Sequence, residues 1–224
     1  MIPIRDEITT RRIPVVNYAL IALNILVFVL QWLAGPKQEQ IVYQFALIPS
    51  HFISGLTPGD ITDIFTSMFM HSGLAHIAGN MLYLWIFGDN VEDSLGSIGY
   101  LVFYLTGGVV ASVAHILTNP GSQIPTVGAS GAIAAVLGAY LVLYPRSRVL
   151  TIIPLGFYLR MTMVPASIVL GLWFVLQLFS GVLSLGGPDV GGVAFWAHIG
   201  GFTFGLVVAW LFGSRRRLEH VVQW

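Results

Sequence analysis

Three residues in this 224-residue sequence have types and spacings suited to chemistry: Ser130, His198 and His76. Ser130 lies in Thr126-Val127-Gly128-Ala129-Ser130-Gly131-Ala132, where a polar, Pro/Gly-rich loop turns into an apolar run ending at Tyr144. The first amides of a helix have no intrahelical partner and carry the positive end of the macrodipole. Such a site can stabilise an oxyanion, and glycines let a substrate backbone come close. A serine placed there is a candidate nucleophile and needs a base to take its proton. On position alone, Ser130 reads equally well as an N-cap.

His198, Gly201 and Gly205 fall on one helical stripe, and Ser130, Ala134 and Gly138 on another. Two faces of small residues can pack closely inside a membrane. That packing would bring Ser130 and His198 into hydrogen-bond reach, as an activated serine requires. The nearest carboxylate is Asp189, in the loop before His198, so the pair reads as a Ser–His dyad. His76 and Asn80 are spaced i, i+4, and both can donate hydrogen bonds. Together with the Ser130 amide they would make an oxyanion hole. Taken singly, His198, His76 and Asn80 read as helix–helix hydrogen-bond partners; their common depth favours chemistry. His71 and His115 read as structural, and His51 and His220 as solvated. Asp89, Glu92 and Asp93 read as a cap or an interhelical lock.

The elements that must position these groups are membrane spans, each needing about 20 apolar residues. Six candidates cover residues 15–34, 74–91, 98–117, 130–144, 164–183 and 193–212. With the N-terminus inside, nine of the ten Lys and Arg residues fall on the cytoplasmic side and only Lys37 outside. Helices two, four and six then run inward, and His76, Ser130 and His198 all sit near their outer ends. The fourth span is short, about 22 Å against a hydrocarbon core of about 30 Å. Ser130 therefore starts below the outer surface, at the edge of a loop that lines a cavity. The apolar loop 35–73 is expected to hold interfacial helix, and the segment 145–163 to lie near the headgroups. The chain reads as one domain: a cytoplasmic segment 1–14, a membrane bundle 15–212 and a basic tail 213–224.

Composition excludes much else. The chain is 56% hydrophobic and 9% charged, against about 25% charged for soluble domains. Mean hydropathy is +0.82. Zero net charge gives no sign of nucleic-acid binding, and the absence of cysteine removes disulfides and thiolate metal sites. The first ten residues lack the features of a cleavable signal peptide. There is no HExxH for zinc, no intramembrane aspartate pair, and no lysine near Ser130. The segment after Gly128 is not a GxSxG elbow, because Ala132 fills its last position.

His76-Ile77-Ala78-Gly79-Asn80, Gly128-Ala129-Ser130-Gly131 and Ala197-His198-Ile199-Gly200-Gly201 resemble, in order, the HxxxN, GxSG and AHxxG motifs of the rhomboid family of intramembrane serine proteases. The resemblance implies an all-α, six-helix bundle with both termini cytoplasmic, and a water-filled cavity opening outward. It implies Ser130 as nucleophile and His198 as base, with His76, Asn80 and the Gly128–Gly131 backbone around the oxyanion. It implies single-span membrane proteins as substrates, the lipid bilayer as the other partner, and no metal or cofactor. Helix five, with Trp173 and Phe174, would be a lateral gate. Thr62-Asp63 stand where many members carry Trp-Arg. Ala134 stands where some carry an aromatic that stacks on the histidine, leaving His198 to packing. The expected location is the cell membrane of a prokaryote. The alternatives are an inactive relative that binds or routes transmembrane clients, and a channel or transporter, for which repeats and charged pathway residues are missing.

Overall fold

In the computed structural model, which describes residues 1–156, 158–185 and 192–221, the chain is mostly helical. Long apolar runs build the bundle: α1 (Val15–Leu33), α5 (Leu74–Leu95), α6 (Ser97–Thr118), α7 (Ser130–Leu143), α8 (Ala166–Ser184) and α9 (Phe195–Val221). Four of them, α1, α6, α8 and α9, are long and apolar enough to cross a membrane. α7 is 14 residues long, and α5 carries Asp89, Glu92 and Asp93 in its last turns. The outward faces of α1 and α8 are apolar, with Leu26, Leu30, Phe179 and Val182 exposed, as contact with a lipid bilayer requires. α9 continues past Phe212, so its helix takes in most of the segment read as a tail.

α7 is the hub. Ten of its residues, Gly131 to Tyr140, are buried in sequence, and its neighbours are α5, α6, α8 and α9. The apolar loop between α1 and α5 folds as α2 (Gln38–Phe45), α3 (His51–Ser54) and α4 (Pro58–Ser67), in line with the helical content expected there. Thr57 and Asp60 start α4 with a reciprocal capping box.

The all-α expectation needs correction. β1 (Ile2–Asp6), β2 (Arg148–Leu155) and β3 (Tyr158–Pro165) form an antiparallel sheet in the order β1-β2-β3. The segment taken as interfacial is thus largely a hairpin, rich in Val, Ile and Thr around Gly156, which has φ +62°. Val149 and Thr151 alternate inward, both fully buried. The sheet sits at the end of the bundle opposite the N-termini of α5 and α7. There Asp6 accepts hydrogen bonds from Tyr140 Oη at 2.6 Å and Asn90 Nδ2 at 2.8 Å.

The acidic cluster at that end serves as a lock. α1 starts after Pro14, which has no side-chain cap to offer. Glu92 supplies one from α5, accepting from the amides of Val16 at 3.1 Å and Asn17 at 2.7 Å. It also accepts from Ser97 Oγ at 2.6 Å. A carboxylate at a helix N-terminus meets both the orphan amides and the dipole. Glu92→Ala leaves those buried amides unpaired, and should lower stability by about 2 kcal/mol. Thermal unfolding in detergent would measure it, and an unchanged midpoint would refute the lock.

Candidate active site

The hydroxyl of Ser130 does not cap its own helix. The N-cap is Ala129, in the αR conformation. The Ser130 Oγ instead lies 2.8 Å from His198 Nε2. At 14 residues α7 is about 21 Å long, shorter than its neighbours α6 and α8, with 22 and 19 residues. The loop that delivers it is tied down by backbone bonds. Leu47 and Thr126 exchange both, at 3.1 and 2.8 Å, and the Gly128 amide donates to Ser67 O at 2.8 Å. The Gln31 side chain, from α1, grips both backbone groups of His71. These ties brace the first loop without Trp-Arg.

α7 and α9 approach at backbone contact. A Cβ on Gly201 would lie 2.1 Å from Gly131 O, and one on Gly205 1.9 Å from Ala135 O. A Cβ on Gly138 would lie 2.2 Å from Phe202 O. The contact line on α7 is therefore Gly131, Ala135 and Gly138, not Ser130, Ala134 and Gly138. Ser130 flanks that line and reaches His198 from its edge. Gly131 also abuts α6, where its added Cβ would meet that of Ala111 at 2.6 Å.

His198 is not held by packing alone. Its Nδ1 lies 2.7 Å from Gln177 Oε1, and the Trp173 ring centroid lies 5.7 Å from its own. Gln177 and Trp173 both stand on α8, four residues apart. Gln177 is uncharged and falls on none of the three motifs, so the sequence alone does not single it out. The i, i+4 pairing of an amide with an aromatic on an apolar span was the available signal. Asp189 lies outside the described residues.

His76 and Asn80 face the same space. The Ser72 amide and hydroxyl lie 3.4 and 2.9 Å from His76 Nδ1. An amide can only donate, so Nδ1 accepts and Nε2 carries the proton. A Cβ on Gly128 would stand 2.8 Å from His76 Nε2 and 3.7 Å from Asn80 Nδ2. Asn80 Nδ2 is buried and has no partner among the described residues. Two donors thus converge beside Gly128, two residues before Ser130. Gly128 has φ +133°, where L side chains are strained. Gly128→Ala should fold, yet lower any hydrolytic rate by about 10-fold or more by displacing His76. Rate and melting temperature measured together would check it; an unchanged rate would refute it.

The site opens on a cavity of about 1300 Å³. Its walls come from one end of the bundle: the first turns of α5, α7 and α9, the last turns of α6 and α8, and the loop before α7. Ser130, His198, His76, Asn80, Gly128 and Gly131 all line it. His115 also reaches it, bonded to Thr126 Oγ1 at 3.0 Å and near Asn119 Nδ2 at 3.2 Å. His71 is fully buried, edge-on to His76 at 5.1 Å, and His51 is half-exposed, 3.4 Å from Asp60. Among the described residues no cluster of three or more His, Asp or Glu could hold a metal ion.

The family profile described as Rhomboid domain matches residues 58–215. The chain is 36% identical over 129 residues to rhomboid protease GluP of Bacillus subtilis, covering 57% of this chain and 24% of that protein. It is 27% identical over 219 residues to Rhomboid protein 1, mitochondrial, of Saccharomyces cerevisiae, covering 92% of this chain and 58% of that one. It is 31% identical over 131 residues to the human presenilin-associated rhomboid-like protein, mitochondrial, covering 58% and 33%. The chain thus spans between about a quarter and three-fifths of the length of these relatives. The profile match runs from α4 into α9 and includes His76, Asn80, Ser130 and His198, and the chain belongs to the rhomboid family.

Proposed function

We propose that this protein is an intramembrane serine endopeptidase that cuts single-span membrane proteins in or near the outer part of their transmembrane helix. The observation that carries the reading is the 2.8 Å approach of Ser130 Oγ to His198 Nε2 at the cavity wall. His198 takes the proton from Ser130 as Oγ attacks a peptide carbonyl, and returns it to the leaving amine. The developing oxyanion sits beside Gly128, where the Ser130 amide, His76 and the unpaired Asn80 Nδ2 donate to it. Donors that are already in place cost nothing to organise during the reaction. The cavity supplies water for hydrolysis of the acyl intermediate. Nothing in this chemistry calls for a metal or cofactor.

In this reading α1, α5, α6, α7, α8 and α9 are the six spans, with both termini cytoplasmic and the cavity facing out. Residues 1–14 and 213–224 flank a membrane unit of 15–212. The short α7 is tolerated because its loop is packed in protein. The relatives do not favour a prokaryotic cell membrane, since mitochondrial and chloroplastic proteins stand among them. Several relatives are named only as rhomboid-like. An inactive client-binding protein is therefore the second reading.

A fluorophosphonate probe separates the two. Purified protein in detergent should label, and Ser130→Ala and His198→Ala should not. A folded wild type that fails to label would favour the inactive reading, with His198 acting as helix glue.

A further inference from the structure

The structure assigns a third member to the Ser130–His198 pair: we propose that Gln177, on α8, is the positioning residue that fixes the tautomer and orientation of His198. The proposal rests on the protease reading for its catalytic consequence, though not for its geometry. Gln177 Oε1 lies 2.7 Å from His198 Nδ1, shorter than the 2.8 Å from His198 Nε2 to Ser130 Oγ. A carbonyl oxygen only accepts, so Nδ1 must carry the proton. Nε2 then keeps its lone pair, and Ser130 Oγ–H donates to it. The opposite tautomer would put N–H toward Ser130 and leave no base for the hydroxyl proton.

The ring is held on three sides. Gln177 fixes one nitrogen, Ser130 contacts the other, and Trp173 packs against the face. His198 is 8% exposed, so water has little access to replace Gln177 at Nδ1. Gln177 is neutral. When His198 accepts the serine proton, the amide oxygen meets an imidazolium with a dipole, not with a full charge. A carboxylate at the same place would favour that imidazolium more strongly. The other titratable groups acting on His198 are His76 and His115.

The link also has a mechanical side. α8 is the least buried of the four long apolar spans. Any outward displacement of α8 takes Gln177 and Trp173 with it and releases His198 from both.

The test compares wild type with Gln177→Leu and Gln177→Glu, as purified full-length protein labelled with ¹⁵N-histidine. In wild type, the His198 nitrogen spectrum should show a protonated Nδ1 and an unprotonated Nε2. In Gln177→Leu the two tautomers should mix, and fluorophosphonate labelling should slow by about 10-fold to 100-fold, with the melting temperature lowered no further than in Ser130→Ala. In Gln177→Glu the single tautomer should return, and the labelling-rate profile should move to higher pH. Two results would overturn the role: a wild-type spectrum with the proton on Nε2, or a Gln177→Leu variant whose spectrum and pH profile match wild type. Should wild type fail to label at all, the protease reading falls, and the nitrogen spectra still decide whether Gln177 orients the ring.

Discussion

Ser130→Ala is expected to cut hydrolysis of a membrane-embedded substrate by about 10⁴-fold or more, and His198→Ala nearly as much. The double variant should be no worse than either single one. The two side chains act as one unit: without Oγ there is no nucleophile, and without Nε2 the hydroxyl keeps its proton. The residual rate should come from the donors beside Gly128, which neither change removes. Stability should respond little. Ser130→Ala leaves one buried nitrogen of His198 unpaired, a cost of about 1 kcal/mol, and creates no large void. Initial rates in proteoliposomes, with melting temperatures of the same preparations, would check both halves. Additive losses in the double variant would show that Ser130 and His198 contribute separately, and the dyad would have to be abandoned.

The reach of the sequence can be judged from where each residue ended up. Helix starts at Val15, Leu74 and Ser130 were legible because long apolar runs meet polar or Gly-containing loops there. The pairing of Ser130 with His198 was legible because small residues at i, i+3 and i+4 imply close backbones. The register of that contact was not. One α-helical step turns the side chain by 100°, so Ser130 and Gly131 are both plausible members of a stripe until the partner is known. The hairpin 148–165 was missed for a different reason. Its strands mix apolar residues with Arg148 and Arg160, a composition equally suited to a headgroup-level segment. What decides for a sheet is its pairing with residues 2–6, almost 150 positions away. Gln177 was hidden because an amide carries no charge and matches no motif. Its meaning appears only when α8 brings it against Nδ1 of His198. The Glu92 lock follows the same logic, since its partners are amides of α1 that no side-chain pattern reveals.

Gly205→Val should be the most damaging change outside the chemical groups. The added Cβ alone would lie 1.9 Å from Ala135 O, 2.7 Å from Ala135 C and 2.9 Å from its Cα. All three are backbone atoms, so no rotamer can relieve the clash. α7 and α9 must separate or the helices must rotate. Overpacking against side chains costs about 1–3 kcal/mol, so a clash with the backbone should cost at least about 3 kcal/mol. Gly171→Ala on α8 is the matched control. Nothing lies within 4 Å of its added Cβ, so the change should be neutral or stabilising, by up to about 1 kcal/mol, through helix propensity. The same separation should reach the site. Gly201 touches Gly131 one turn beyond His198, and Gly131 follows Ser130 directly. A shift of about 1 Å there can cost about 10²-fold in rate. Gly205→Ala, the milder form, should therefore lose activity at temperatures where it is still folded. Unfolding in detergent and fluorophosphonate labelling, run on the same samples, distinguish the two effects. A Gly205→Ala protein that labels at the wild-type rate would mean that the α7–α9 contact supports the fold without setting the Ser130–His198 distance.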